Sequence, residues 1–213
     1  MRNYYQSQLD LIDKNIKDMA LMLENEIKNS VLCLTSNNKE LINITKQINI
    51  DVSKSEKDLE SLCLNIILHQ QPVAGDFHLV SAVLKMITDM KRIGDIAEDV
   101  AELSTQINKS YKSDVMNDIV KMGQLSINML KNTINSYIQH NTEIARNMCK
   151  ADDKVDKLFT ISKEKIVDII KNDKDYADEA PDILMMAKYF ERLCDHIVNM
   201  SEWVLYAFTG NKK

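Results

Sequence analysis

The sequence predicts an all-α protein of two tandem three-helix bundles related by an internal repeat, and three observations lead to that fold class. The 213-residue chain has only 4 Gly and 2 Pro, where average usage would give roughly 15 and 10. Apolar residues recur at steps of three and four along six segments, which is the period of amphipathic helices. A short pattern around Arg92 recurs around Arg192, and such an offset indicates an internal repeat.

Helical periodicity and clear stop signals define the three helices of the first half. Leu9, Ile12 and Ile16 begin a stripe of apolar residues that continues along the first segment. Asn38 follows a polar break and predicts the N-cap of the second helix. The turn at residues 71–76 contains Pro and Gly and separates the second helix from the third. The three helices are predicted to end near residues 34, 69 and 108.

The second half repeats this layout after a polar stretch at residues 108–113. A tight turn at residues 140–142 separates its first two helices, and an acidic segment with Pro181 is predicted to be a loop before the last. Gly210 is a natural end for the final helix. These signals place the fourth, fifth and sixth helices at about residues 114–139, 143–171 and 183–209. The predicted domains are residues 1–110 and residues 111–213.

Charge and composition exclude several classes of protein. A net charge of −5 and a pI near 5.4 argue against a nucleic-acid binder, which would carry a basic stripe. The N-terminus lacks the apolar core of a secretory signal, and the longest apolar run, residues 203–208, is far too short for a membrane span. Four isolated cysteines indicate reduced thiols. A cytoplasmic protein is therefore predicted, with no nucleic-acid partner and no membrane insertion.

Two acidic pairs at a spacing of four residues are the candidate metal site. Asp152 and Asp156 lie on the fifth predicted helix, and Glu191 and Asp195 lie on the sixth. This spacing places both carboxylates of a pair on one helix face, which suits a cation bound through oxygen. The spacing alone is weak evidence, because roughly five such pairs are expected by chance in a chain with this acidic content.

Hairpin geometry brings the two acidic pairs to the same level. Asp156 and Asp195 lie about equally far from the turn between the fifth and sixth helices, so four carboxylates would face one another and repel. A hard cation such as Mg, Ca, Mn or Fe, rather than Zn, or a basic partner would relieve that repulsion. Two readings stay open: the carboxylates hold a cation, or they point into solvent.

The first half does not support an equivalent metal site. The corresponding positions carry Asn49, Ser53 and Lys91, and only Asp95 keeps its carboxylate. Lys91 lies one helical turn before Asp95 and is predicted to neutralise it. Any metal ion is therefore expected in the second half alone.

Catalytic templates do not fit the chain. It has no phosphate-binding loop, no nucleophile elbow and no HExxH motif. A ferritin-like di-iron enzyme needs Glu-x-x-His on two helices, and no histidine here has a glutamate three residues before it. His196, beside Asp195, is interpreted as a surface or supporting residue or, less readily, as a further metal ligand. No catalytic residue and no organic cofactor is predicted.

Several of these segments match the motifs of one family. Residues 71–78 read QPVAGDFH and look like the family turn QPxAxDLR, and residues 152–156 read DDKVD and look like DxxVD. RIGD at residues 92–95 and FERLCD at residues 190–195 look like the twice-repeated LERIGD. In order and separation these motifs span essentially the whole chain, which resembles the PhoU family.

The resemblance implies a fold, a role and partners. PhoU proteins are two three-helix bundles that restrain the phosphate-starvation response by joining a phosphate ABC transporter to a sensor histidine kinase. They often dimerise, so a homodimer is expected. The family's E(D)xxxD metal motif is complete here only at Asp152, Asp156, Glu191 and Asp195. The alternative function is a metal-binding or metal-storing helical protein, and a coiled-coil adaptor is disfavoured because the apolar spacing drifts from strict heptads.

Overall fold

A computed structural model describes residues 2–36, 38–73, 75–107, 114–172 and 178–212. Within these ranges the chain forms seven α-helices and one 3₁₀ turn and contains no β-strand, which confirms the all-α prediction. No helix in these ranges is both long enough and apolar enough to cross a membrane. The elements are α1 (Arg2–Thr35), α2 (Lys39–Gln70), α3 (Gly75–Leu103), the 3₁₀ turn (Ser104–Gln106), α4 (Asp114–Ile138), α5 (Thr142–Arg146), α6 (Met148–Asn172) and α7 (Ala180–Thr209).

Asparagine side chains begin two of the helices. The Oδ1 atom of Asn38 accepts hydrogen bonds from the backbone N–H groups of Glu40 and Leu41, at 3.0 and 3.4 Å. This confirms the predicted N-cap of α2. Asn141 caps α5 in the same way, so both caps satisfy donors that have no partner inside the helix.

The prediction of a single fifth helix at residues 143–171 is wrong, because the helix is interrupted at Asn147. The Asn147 N–H donates to the Ile144 carbonyl at 3.2 Å, a tight i→i−3 turn that closes α5 before α6 begins. The predicted start of the last helix is also too late. Pro181 lies in the first turn of α7, where its missing N–H has no helical partner to lose.

Two sequence predictions concern residues outside the described ranges. The polar stretch at residues 108–113, with the domain boundary placed between residues 110 and 111, lies outside them. So does the 173–177 part of the predicted loop before α7. The domain boundary therefore stays a prediction.

The helices pack as two groups of three long rods. α1, α2 and α3 contact one another, as do α4, α6 and α7, with α5 packed against α7 and α4. The groups meet where α3 lies along α7, the most extensive helix–helix contact among the described elements, and where α1 lies along α4. One core therefore runs continuously through both groups.

Burial repeats between the halves. Positions of α3 and α7 that are 100 residues apart are buried together, and positions of α2 and α6 correspond at an offset of 103. This correspondence confirms the internal repeat, which is present in the packing as well as in the amino-acid sequence. The matched buried pairs include Met86 and Met186, Met90 and Phe190, Ile93 and Leu193, Val100 and Met200, Val52 and Val155, and Cys63 and Ile166.

Gly123 lies where α4 packs tightly against both α1 and α7. A Cβ atom at this position would lie 2.3 Å from Val31 Cγ2 on α1 and 3.0 Å from Phe190 Cε1 on α7. Val31 is β-branched and Phe190 is fully buried, so neither side chain can move aside freely. The three-way contact therefore requires glycine.

We expect Gly123→Ala to lower the free energy of unfolding by about 1–3 kcal/mol, because the added methyl group overpacks this contact. The control is Gly75→Ala in the first turn of α3, where a Cβ atom would meet nothing within 4 Å. Urea unfolding followed by circular dichroism measures both. Equal stability of the two variants would show that the α4 contact is looser than described.

Candidate functional site

The candidate site lies where α6 packs against α7. α6 supplies Asp152 and Asp156, and α7 supplies Glu191 and Asp195, each pair one helical turn apart. Asp152 and Glu191 are half-buried at the contact, whereas Asp156 and Asp195 are exposed at its rim. The predicted pairs therefore occupy the two sides of one helix–helix seam.

Electrostatic repulsion shows that the four carboxylates lie close to one another. Burial, together with the charges of Asp156, Asp195 and Glu191, raises the pKa of Asp152 to about 7. Burial also raises the pKa of Asp195, with Glu191 and Asp156 acting in the same direction. The structure thus brings all four predicted residues into one interacting cluster, termed the acidic cluster below.

One buried oxygen of the acidic cluster has no hydrogen-bond donor. Asp152 Oδ1 is buried and receives no hydrogen bond from any described residue. A buried carboxylate oxygen without a donor costs free energy. That cost would be removed by a proton or by a cation bound through oxygen.

Lys188 supplies a positive charge that the sequence analysis missed. Its Nζ atom lies 2.6 Å from Glu191 Oε1 and 2.5 Å from Oε2, and 5.3 Å from the centre of the Phe159 ring. The Oε2 atom receives no well-directed hydrogen bond, but an ammonium at that distance still compensates its charge. The i, i+3 spacing of Lys188 and Glu191 was the available signal.

The side chains as they stand do not form a metal-binding group. In the ranges that the structure describes, no three His, Cys, Asp or Glu side chains are arranged to hold a metal ion. The donor chemistry nevertheless fits a hard cation, because all four groups of the acidic cluster are carboxylates and Asp152 Oδ1 lacks a partner. Binding a cation there would require the side chains to converge and Lys188 to release Glu191.

His196 faces the other half of the molecule. Its Nδ1 atom lies 2.8 Å from Asp89 Oδ1 on α3, so this pair links α7 to α3. Both side chains are partly buried. The contact identifies His196 as a residue of the α3–α7 seam, from which its charge opposes the rise in the pKa of Asp195.

The equivalent place in the first half contains a different set of groups. Lys91 Nζ forms an ion pair with Asp95 Oδ1, which confirms the predicted neutralisation. Asn49 Nδ2 donates to Asp95 Oδ1 at 3.3 Å and also to Glu98 Oε2. Ser53 is occupied by its own helix, since its hydroxyl donates to the Asn49 carbonyl.

Glu26 is the second residue that the sequence analysis missed. Its side chain is fully buried on α1, and burial, followed by the charge of Glu98, raises its pKa to about 9. Asp95 acts in the same direction and Lys91 opposes it. The signal was a carboxylate on the apolar stripe of the first helix, between Leu23 and Ile27.

Comparison with known proteins matches the chain to one family. The family model described as the PhoU domain matches twice, at residues 16–104 and 119–204. A phosphate-specific transport system accessory protein PhoU homolog from Clostridium acetobutylicum is 27% identical over 212 residues, covering 99% of this chain and 97% of the relative. A protein of the same name from Deinococcus radiodurans is 26% identical and both chains are covered completely.

Solved structures share the fold. The crystal structure of PhoU from Pseudomonas aeruginosa has a TM-score of 0.91 at 21% identity, covering 97% of this chain and all of that one. The phosphate transport system regulatory protein PhoU from Streptococcus pneumoniae has a TM-score of 0.90 at 19% identity, with 98% and 99% covered. The two domain matches together cover well over half of the chain and coincide with its two helix groups, so this protein belongs to the PhoU family.

Proposed function

We propose that the protein is a non-enzymatic negative regulator of the phosphate-starvation response that acts in the cytoplasm. The observation that carries this proposal is the pair of PhoU domains, together with full-length relatives named as accessory proteins of the phosphate-specific transport system. The relatives' names support a role in phosphate transport. Repression of the phosphate-starvation genes is the further part of the role that we propose for this chain.

We propose further that the protein acts by binding two partners, a phosphate ABC transporter and a sensor histidine kinase. Long helices packed into one continuous core make a rigid body with extended faces. A net charge of −5 favours association with basic patches on the partners and speeds their encounter. A homodimer, expected from the family resemblance, would present each face twice.

The acidic cluster is proposed to hold one hard cation, Fe, Mn, Mg or Ca, on Asp152, Asp156, Glu191 and Asp195. Such an ion would relieve the repulsion that raises the pKa of Asp152 and would satisfy its unpartnered oxygen. Lys188 would compensate Glu191 while no metal is bound. The rival function, a metal store, would need many such clusters, and uptake of many ions per chain would favour it.

Deleting the gene should leave phosphate-scavenging genes expressed when phosphate is plentiful, because the repressing link between transporter and kinase would be lost. A reporter of those genes in high phosphate measures the effect, with the deleted gene restored on a plasmid as the control. Pull-down with the purified protein should recover the kinase's cytoplasmic part, the transporter or both. Normal repression in the deletion strain, with neither partner recovered, would overturn the proposal.

Replacing Asp156 and Asp195 together by Asn should remove bound metal and leave the protein folded, because these carboxylates repel one another when no cation is present. Metal content after dialysis against Mn²⁺, with circular dichroism of the same samples, measures both properties. The matched control is Glu164→Gln with Asp168→Asn, which removes the same charge from exposed positions of α6. An unchanged metal content in the first variant would show that the ligands lie elsewhere.

A further inference from the structure

Five polar residues meet inside the first half and form what is termed here the first-half polar site. They come from three helices: Glu26 from α1, Asn49 from α2, and Lys91, Asp95 and Glu98 from α3. Glu26 and Asn49 are buried and the three residues of α3 are half-buried. Three carboxyl groups in so enclosed a place require compensation, because a buried charge without a partner is strongly destabilising.

Gly94 makes room for two oxygen atoms of this site. A Cβ atom on Gly94 would lie 2.8 Å from Asn49 Oδ1 and 3.1 Å from Glu26 Oε2, so both oxygens approach its backbone. Neither atom receives a hydrogen bond from any described residue, and both are fully buried. Each of these buried acceptors lacks a donor, and a proton on the Glu26 carboxyl would place an O–H group where both oxygens approach Gly94.

The remaining groups of the site are compensated from within. Lys91 neutralises Asp95, and the amide of Asn49 donates to both Asp95 and Glu98. The Asn49 nitrogen therefore links α2 to two carboxylates of α3, while the Asn49 oxygen is buried near Gly94 without a donor.

The corresponding positions of the second half have the opposite chemistry. At the repeat offsets, Glu191 stands in place of Lys91, Asp152 in place of Asn49 and Val198 in place of Glu98. The same offset of 103 aligns Glu26 with Met129, and both residues are buried. The second half therefore has carboxylates at these positions and its ammonium elsewhere, on Lys188, whereas the first half has an ammonium, that of Lys91, at one of the positions themselves.

We infer that the first half carries a permanent internal cation: the Lys91 ammonium, together with a proton on Glu26, fills the role that a metal ion would have in the second half. The residues of the first-half polar site do not fit a metal ion, because Lys91 already pairs with the one carboxylate that both halves share. The two repeats are therefore unequal, and only the second can respond to a metal. This inference goes beyond the proposed function and does not depend on it.

Lys91→Met tests the cation in a background that carries Asp156→Asn and Asp195→Asn, so that the acidic cluster cannot contribute. Thermal unfolding is measured in EDTA and again with Mn²⁺ alone. We expect Lys91→Met to lower the melting temperature in EDTA by about 3 °C or more, since the carboxylates lose their counter-ion. Mn²⁺ should then restore it, whereas the background with Lys91 intact should not respond.

The matched control for Lys91→Met is Arg92→Gln, which removes a positive charge from the next residue. Arg92 Nη1 lies 3.7 Å from Asp95 Oδ2, but its side chain is 65% exposed. Arg92→Gln should change the melting temperature by less than Lys91→Met does, and Mn²⁺ should not alter the melting temperature of this variant. Stabilisation of the Lys91-intact background by Mn²⁺, or a Lys91→Met variant indifferent to both conditions, would overturn the inference.

Glu26→Gln tests the proton independently, and it keeps the inference testable if Lys91→Met does not fold. A native-state pKa of about 9, above the ordinary value of 4.5, means that the folded protein holds a proton which the unfolded chain has released. Stability of the wild type therefore falls as the pH rises between these values. The free energy of unfolding of Glu26→Gln minus that of the wild type should therefore increase steadily from pH 5 to pH 9, and urea unfolding measures both.

Glu24→Gln is the matched control on the same helix. Lys28 and Lys131 bind Glu24 and hold its pKa below the ordinary value, so its carboxylate is ionised in both states above pH 5. The difference between this variant and the wild type should stay constant from pH 5 to pH 9. Parallel profiles for Glu26→Gln and the wild type over that range would show an ionised Glu26 and would refute the inference.

Discussion

The seam between α3 and α7 sets the arrangement of everything else in the molecule. Each of these helices packs against the other and against the two further long helices of its own group, so little of its surface reaches solvent. Met90, Ile93, Phe190 and Leu193 are all fully buried there. A polar side chain on either helix then lies within the seam, as the Asp89–His196 pair does, or at the edge of a contact with α1 and α2 or with α6. Both polar sites occupy such edges.

Buried carboxylates in this fold differ in whether a neighbouring lysine compensates their charge. Asp118 on α4, for example, is buried and ion-paired with both Lys121 and Lys165, and these lysines lower its pKa despite the opposing effect of burial. Asp152 has no such partner, and its pKa rises. A few neighbouring side chains therefore decide whether a carboxylate in this fold is ion-paired, with a lowered pKa, or lacks a cationic partner, with a raised pKa.

The sequence predicted the helices, the repeat and the four acidic residues because these depend on periodicity and spacing, which are local. It failed at Asn147 and at Ala180, where one turn of backbone geometry decides the boundary. It also failed at Glu26 and Lys188, since their importance depends on which helices face them. A buried carboxylate on α1 becomes significant only when Asn49 and Glu98, from two other helices, are placed beside it.

The acidic cluster is the part of the molecule that stability alone does not explain. Burial and the neighbouring carboxylates raise the pKa of Asp152 to about 7 and also raise the pKa of Asp195, which destabilises the folded state near neutral pH, and Asn at these two positions would avoid the cost. The first half shows that this backbone can accommodate an ammonium and an amide, those of Lys91 and Asn49, at the places of Glu191 and Asp152, although Glu26 there remains a buried carboxyl without a donor. Groups that oppose folding in a protein with such an alternative are typical of functional sites. This difference between the repeats is the reason that the proposed cation site is assigned to the second half, whereas the Lys91–Asp95 ion pair occupies the equivalent place in the first.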